Sequence, residues 1–345
     1  MNETIELENV VASNGKIVKP IHLNGFVMAI NLICCVFGLP LNGFIAFLII
    51  YMRRLRSKTR NIFLLGLVLS NLSAFVPVLF EFAYFHFPSE SLCEYYVAIV
   101  GLPFVLFLTN MLLSLADRYT ALVYPIWHIK KVSVKFVVRC QISASLLVCV
   151  IYKFGYVAQF FPLKCEVHIL QVRIISVTLF VLFFSCVVAQ FVVYRQTKKI
   201  LLEYRTPKRL EKPNAAITPD AAQHSEPIDT ARIVQKHFRS ISAVNEVGRS
   251  SNAMTEHAIS QMEMEATQTL IFSVTSLTIM TGPFILFTFT MFICRLHYEQ
   301  DVCGSISWLA PYFKELVVLH ATYHSMIHMC RNSELLTVIK QRLNV

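Results

Sequence analysis

Seven long apolar stretches constrain the fold of this 345-residue chain more than any other feature of its sequence. Each is about 20 residues or longer, the length that an α-helix needs to cross the roughly 30 Å hydrocarbon core of a bilayer. Lys153 interrupts the fourth stretch, and short connections join most neighbours. We therefore predict an all-α membrane protein, a seven-transmembrane helix bundle. The stretches lie at residues 25–52, 61–87, 93–124, 137–161, 170–197, 266–293 and 306–329.

The composition excludes a soluble class. Hydrophobic residues make up 55% of the chain and charged residues only 15%, whereas soluble domains carry about 25% charged residues. The net charge of +10 is explained by basic loops that meet anionic lipid headgroups and acidic cytoplasmic surfaces. We therefore expect membrane lipids as partners, and no nucleic acid.

Basic residues concentrate on one side of the predicted bundle. The three loops after stretches one, three and five, together with the C-terminal tail, contain 24 of the 31 Lys and Arg residues. Cytoplasmic loops carry the excess of these residues, so we predict a multi-pass plasma-membrane protein with an extracellular N-terminus. Residues 1–24 are then an extracellular tail that lacks the pattern of a signal peptide. Asn2 begins a glycosylation sequon in this tail.

Residues 200–262 form a long polar segment inside the apolar pattern. The segment contains four prolines, many Ser, Ala and Gln residues, and no sustained apolar period. We predict a disordered cytoplasmic third loop flanked by helical extensions. Ser240 and Ser250 follow arginines there, as kinase targets often do. Residues 330–345 are expected to form a short cytoplasmic helix and tail.

A charged pair closes the third apolar stretch. Asp117 and Arg118 stand before Tyr119, and Arg118 follows Cys93 by 25 residues. Such a pair at the end of a membrane helix is costly unless it is paired or functional. Cys93 suggests that a disulfide holds the outer end of this helix, while the charged pair acts as a switch at its inner end. This combination is typical of a signalling receptor.

The sixth stretch contains a second element of a switch. Pro283 removes a helical hydrogen bond and bends the helix, and the adjacent Gly282 weakens the same turn. A bend here lets one end of the helix swing while the other end senses a ligand. A purely structural kink is the alternative explanation.

These motifs, taken in order, resemble the rhodopsin-like (class A) G-protein-coupled receptors, and the resemblance covers almost the whole chain. It implies a seven-transmembrane receptor domain at residues 25–329 and a short amphipathic eighth helix. It also implies heterotrimeric G proteins as partners, with kinases and arrestin at the third inner loop, no enzymatic activity and no cofactor. The segments that carry the resemblance are residues 38–42, 55–61, 67–71, 124–125 and 319–335.

The resemblance implies roles for individual residues at the inner end. The arginine of the family pairs with its neighbouring acid or with an acid on the sixth helix, and Glu263 lies 20 residues before Pro283, at the family's spacing. Glu265 lies close to Glu263 in the sequence and could take the same position. The alternative to a functional ion pair is a solvated cluster of charges at the membrane interface. The implied switch and coupling residues are Asp117, Arg118, Tyr119, Glu263 and Pro283.

The resemblance also implies a disulfide between Cys93, at the start of the third helix, and Cys165, before the fifth. Free buried thiols are the alternative. Cys294 and Cys303 flank a short outer loop and form either a second disulfide or none.

Several positions depart from the family pattern. Asn71 stands where most members carry Asp, Phe107 replaces a hydroxyl-bearing residue, and His324 replaces Asn or Asp. Without the central carboxylate, we do not expect the family's sodium site. His320, His324 and His328 recur every four residues, so one helical face could bear three imidazoles. No acidic partner or second metal motif accompanies them, and we predict no metal site.

The ligand pocket is predicted at the extracellular end, where aromatic residues and charges of both signs meet. Val100 stands where amine receptors place Asp, and Lys314 is one turn too far out to attach retinal. We predict a small neuropeptide whose cation faces Glu81. A chemosensory or lipid-type ligand is the alternative, because the loop around Cys165 is short. Lys314 could also pair with Glu315 or face lipid headgroups instead of binding a ligand. A transporter is the alternative of another class, although internal repeats are not seen. The pocket residues are Glu81, Tyr84, Val100, Phe104, Phe284, Phe287 and Lys314.

Overall fold

The computed structural model describes residues 16–18, 25–158, 165–205, 267–294, 309–332 and 335–339. The chain divides into two compact units, one of Met1–Gln196 with Thr269–Val345 and one of Thr197–Gln268. The first unit contains the helix bundle. The described part of the second unit comprises residues 197–205, which continue a helix, and residues 267–268. Most of the predicted third loop, from residue 206 to residue 262, lies outside the described residues.

Seven long helices occupy the positions of the seven apolar stretches. The first six contain segments long and apolar enough to cross a membrane. The seventh has 22 residues and is less apolar, because it contributes Glu315 and three histidines to the buried interior. In order, the helices are Gly25–Tyr51, Thr59–His86, Glu90–Val123, Val134–Tyr152, Ile169–Arg205, Thr267–Cys294 and Ala310–Arg331.

Short helices occupy several connections. They lie at Arg53–Arg56, Pro125–Lys131 and Phe154–Val157. Residues 335–339 are also helical, at the position predicted for the eighth helix. Leu335 and Val338 of this segment pack into an apolar cluster with Ile45 and Leu64 of the first two long helices.

The third long helix contains a break that the sequence prediction of one helix over residues 93–124 did not include. Its two parts are Glu90–Ile99 and Leu102–Val123. Gly101 has a φ of 79°, a left-handed conformation that favours glycine. Pro103 explains the break, because a proline has no N–H to donate and its ring clashes with the carbonyl four residues earlier.

The fourth long helix supplies the groups that fill this break. It ends at Tyr152 rather than at the predicted residue 161, and Lys153 follows as its C-cap. The ammonium group of Lys153 donates to the carbonyl oxygens of Val97 and Val100, at 3.1 and 3.4 Å. The charge that interrupts the fourth apolar stretch therefore satisfies backbone acceptors that the broken helix leaves free.

Two short strands add to the predicted all-α architecture. Strand β1, Lys16–Val18, pairs antiparallel with strand β2, Glu166–His168, and Lys16 lies opposite His168. Strand β2 directly follows Cys165, which forms a disulfide with Cys93. The pairing therefore attaches part of the predicted tail to the loop that the disulfide ties to the third helix.

The distribution of polar and apolar side chains fits a bundle in lipid. Large apolar side chains such as Phe37 and Leu146 are more than half exposed, whereas His324 is fully buried. The first helix approaches its neighbours closely at Gly38, where a Cβ atom would lie 2.3 Å from the Phe75 ring. Small residues at such contacts allow the backbones of membrane helices to approach each other closely. The chain is a multi-pass membrane protein.

Candidate functional site

The buried charged pair of the third helix forms a cluster with a partly buried residue from the next short helix. Arg118 Nη2 donates to Asp117 Oδ2 at 2.7 Å, and His128 Nε2 lies 2.8 Å from Asp117 Oδ1. Asp117 and Arg118 are both buried. Both carboxylate oxygens therefore have partners, which a carboxylate at this depth requires. Tyr119 follows the pair and packs against an apolar cluster that includes Met111 and Leu115 of the same helix.

His128 is a member of this cluster that the sequence analysis did not identify. It lies on the helix Pro125–Lys131, ten positions after Arg118 and outside every motif considered. Its signal in the sequence is weak, since only the three-dimensional turn at Tyr124 and Pro125 brings its ring to Asp117. Glu263, the predicted partner on the sixth helix, lies outside the described residues.

Contacts from two neighbours hold the sixth helix along the half that precedes Pro283. Gln190 of the fifth helix donates to Thr275 Oγ1 at 2.7 Å and to the carbonyl oxygen of Ile271 at 3.2 Å. The guanidinium of Arg331, at the end of the seventh helix, lies 5.1 Å from the centre of the Phe272 ring, within the range of a cation–π contact. An outward movement of this half would break these contacts.

The centre of the bundle contains a polar network around Asn71 and His324. Asn71 Nδ2 lies 3.0 Å from His324 Nδ1 and 3.5 Å from Ser325 Oγ. Ser325 Oγ donates in turn to Asn42 Oδ1, and Asn42 Nδ2 donates to the carbonyl oxygens of Gly38 and Ala321, at 2.8 and 3.4 Å. Asn71 and His324 are therefore in direct contact.

The three histidines of the seventh helix lie in a column. Ring centres are 5.6 Å apart for His320 and His324 and 4.6 Å apart for His324 and His328. Phe107 packs edge-on against the first two. Within the described part of the chain, no group of three or more His, Cys, Asp or Glu side chains has the arrangement to hold a metal ion.

At the Cys93 end of the bundle, four helices contribute to a charged cluster that is buried except for part of Lys314. Lys314 of the seventh helix forms an ion pair with Glu81 of the second, and Tyr96 of the third donates to Glu81 at 2.7 Å. Asn31 of the first donates to Glu315 at 3.2 Å. The ion pair of Lys314 is therefore with Glu81 rather than with its neighbour Glu315, the predicted alternative partner.

The other predicted pocket residues fall into separate contacts. Phe104 and Phe284 pack edge to face with ring centres 6.1 Å apart, and Phe287 packs on Phe313 of the seventh helix at 5.2 Å. Val100 lies at the helix break rather than within a continuous helix. Tyr84 is partly buried. The structure thus brings Glu81 to Lys314 and Phe104 to Phe284.

The predicted disulfide between Cys93 and Cys165 is present. Cys294 is also disulfide-bonded, and Cys303, its predicted partner, lies outside the described residues. The predicted glycosylation site, Asn2, lies outside them as well.

The bundle has seven long helices, a buried Asp–Arg pair at the end of the third and a disulfide at its start. Squid rhodopsin is one of 706 solved chains that match the structure. The match has a TM-score of 0.64, covers 96% of this chain and 91% of that chain, and has 15% sequence identity. At this identity the likeness shows the fold, and the chain has a rhodopsin-like seven-helix fold. No family model and no curated protein matches the sequence.

Proposed function

We propose that the chain is a G-protein-coupled receptor that binds a ligand at the Cys93 end and activates heterotrimeric G proteins at the Arg118 end. The observation that carries the proposal is the cluster that buried Asp117 and Arg118 form with partly buried His128 at the end of the third helix, within a rhodopsin-like fold. A guanidinium buried there is always charged and presents several donors, so it can exchange Asp117 for a protein partner.

The switching element in this proposal is the sixth helix. Its half before Pro283 is held by Gln190 and Arg331. Because these contacts are few, a ligand that binds the open state only moderately more tightly can shift the population toward that state. An outward swing of this half, with Glu263 as a further proposed tie to Arg118, would open the space for the G protein. Arrestin and kinases are proposed to act at the loop 200–262.

The ligand that suits the Cys93 end best is a small peptide with charged or amidated ends. Glu81 and Lys314 already form a pair with each other, so a ligand that carries both charges could exchange partners with them without leaving a buried charge uncompensated. Phe284 and Phe287 follow Pro283 within about one helical turn, so a ligand that contacts these rings would act directly on the bend at Pro283.

The test of the proposed function is guanine-nucleotide exchange by purified protein in lipid discs. We expect exchange on at least one heterotrimer, either without a ligand or with a member of a panel of short amidated peptides. Arg118→Ala should lose this exchange, whereas Arg173→Ala, at an exposed position of the fifth helix, should retain it. Absence of exchange on every G-protein class across the panel would overturn the signalling proposal.

Replacing Gln190 by leucine is expected to raise basal exchange. The variant removes the two hydrogen bonds to Thr275 and Ile271, and a net loss of about 1 kcal/mol corresponds to roughly a fivefold shift in population toward the open state. The measurement is nucleotide exchange without ligand. Thr278→Val is the matched control, since that hydroxyl bonds within its own helix. Unchanged basal exchange in Gln190→Leu would show that this tie does not restrain the switch.

Replacing Gly282 by alanine is expected to stabilise the protein and to lower exchange. A Cβ atom there would meet only Phe183, at 3.7 Å, and alanine favours a helix over glycine by about 1 kcal/mol. A stiffer turn beside Pro283 makes the swing harder. Gly43→Ala, where a Cβ meets nothing within 4 Å, should raise the melting temperature without lowering exchange. A Gly282→Ala variant with full exchange would argue against a hinge at this turn.

The extracellular position of the N-terminus is proposed from the distribution of basic residues. We expect protein from animal cells to lose mass on treatment with an N-glycosidase, and Asn2→Gln to abolish this loss. A cytoplasmic N-terminus would leave the mass unchanged by the enzyme in both proteins.

A further inference from the structure

Two buried oxygen atoms beside the charged cluster lack hydrogen-bond donors. The Asn31 amide donates to Glu315 Oε1 at 3.2 Å, and the two residues are 2% and 4% exposed. The remaining oxygens, Asn31 Oδ1 and Glu315 Oε2, accept no hydrogen bond within the described part of the chain. Both are acceptors, so they require a proton donor or a cation.

The charges around these oxygens do not balance among the described residues. Glu81 and Glu315 are two carboxylates, and Lys314 is the one ammonium group that pairs within the cluster. Tyr96 also donates to Glu81, so Glu81 has two direct partners. Among the described residues, Glu315 has the Asn31 amide as its hydrogen-bond partner, and Lys314 acts on it only as a nearby charge. A carboxylate with one neutral partner inside a membrane protein is costly.

We propose that Asn31 and Glu315 bind a monovalent cation between the first and seventh helices. A carboxylate oxygen and an amide oxygen are the hard ligands that an alkali cation or an ammonium group prefers. With both carboxylates ionised, one further positive charge completes the balance of the cluster. The source is either an inorganic ion such as sodium or the ammonium group of an organic molecule. The site does not depend on the proposed signalling activity.

The experiment measures the melting temperature of the purified protein in lipid discs while sodium chloride replaces N-methylglucamine chloride at constant ionic strength. We expect a saturable rise with sodium, because a ligand that binds only the folded state stabilises it. A parallel titration with methylammonium chloride distinguishes the sources: a rise with sodium alone indicates an inorganic ion, and a rise with methylammonium indicates an amine site.

Glu315→Gln keeps the shape of the side chain and removes its charge. We expect the concentration of cation at half-saturation to increase at least about tenfold, as for loss of a charge-assisted contact. Glu90→Gln is the matched control, because Glu90 is an exposed carboxylate at the same end of the bundle. It should respond to cations like the wild type.

A second variant keeps the test decisive if Glu315→Gln does not fold. Asn31→Ala retains the carboxylate and removes the amide oxygen, and it should weaken cation binding about fivefold. Equal melting temperatures in all three salts for the wild type would overturn the proposal, as would an unchanged response in Glu315→Gln or Asn31→Ala. Such a result would leave the nucleotide-exchange test unaffected, since no G protein is present in this measurement.

Discussion

Replacing Gly101 by alanine is expected to destabilise the bundle by about 2 to 5 kcal/mol. The φ of 79° costs an L-residue roughly 1 to 2 kcal/mol. The new Cβ atom would also lie 2.0 Å from the hydroxyl oxygen of Tyr152, a side chain that is fully buried and therefore has little room to move. Overpacking of this kind costs about 1 to 3 kcal/mol more. The measurement is the melting temperature of purified protein in lipid discs.

The two contributions to this loss can be separated with Tyr152→Phe. Removing the hydroxyl relieves the overlap but leaves the left-handed backbone, so the double variant Gly101→Ala/Tyr152→Phe should recover only part of the loss. Gly43→Ala controls for the added methyl group, since a Cβ atom at position 43 would have no neighbour within 4 Å. A Gly101→Ala protein as stable as the wild type would mean that the third helix runs continuously through residues 100–101.

Removing the charge of Lys314 is expected to cost about 2 to 3 kcal/mol in Lys314→Met. Breaking a buried ion pair typically costs about 3 to 5 kcal/mol, and we lower this value because the Lys314 side chain is 29% exposed and partly screened. Glu81→Gln should cost less, because it removes one carboxylate and leaves Lys314 within electrostatic range of Glu315, whereas Lys314→Met leaves the buried Glu81 carboxylate without its cation. The melting temperatures of the two variants measure this order.

The exchanged pair Glu81→Lys/Lys314→Glu provides the control for charge pairing. It should recover part of the stability that the single changes lose, and less than all of it because Tyr96 loses its acceptor. Arg173→Met, which removes an exposed cation, should have little effect. Additive losses in the exchanged protein would indicate that Glu81 and Lys314 do not stabilise each other.

Long apolar runs allowed the seven helices to be predicted, because length and hydropathy alone decide whether a segment can span a bilayer. The break at Val100 and Gly101 was missed, since a glycine in an apolar run has no distinctive periodicity. Pro103 was the available signal, as a proline belongs in the first turn of a helix. The sequence shows Lys153 only as an interruption of the fourth apolar stretch, because its hydrogen bond to the carbonyl oxygen of Val97 joins residues far apart in the chain.

The site was predicted less completely than the fold because its contacts join residues far apart in the chain. The disulfide between Cys93 and Cys165 followed from the resemblance, and residue spacing placed Arg118 at the end of its helix. Neither spacing nor resemblance indicated that Lys314 would select Glu81 over its neighbour Glu315. That choice depends on how the seventh helix is rotated toward the second, which tertiary packing sets.

The contacts between the first and seventh helices have a consequence for the order in which the protein is made. Asn31 pairs with Glu315, and Asn42 with Ala321 and Ser325, across sequence separations of 279 to 284 residues. A ribosome therefore delivers the first helix to the membrane long before its polar partners exist. Before the seventh helix is made, Asn42 can donate to the carbonyl oxygen of Gly38 within its own helix. The hydrogen bond of Asn31 to Glu315 cannot form until the seventh helix is present. Nascent chains released before the seventh helix should consequently be preferred clients of membrane quality control.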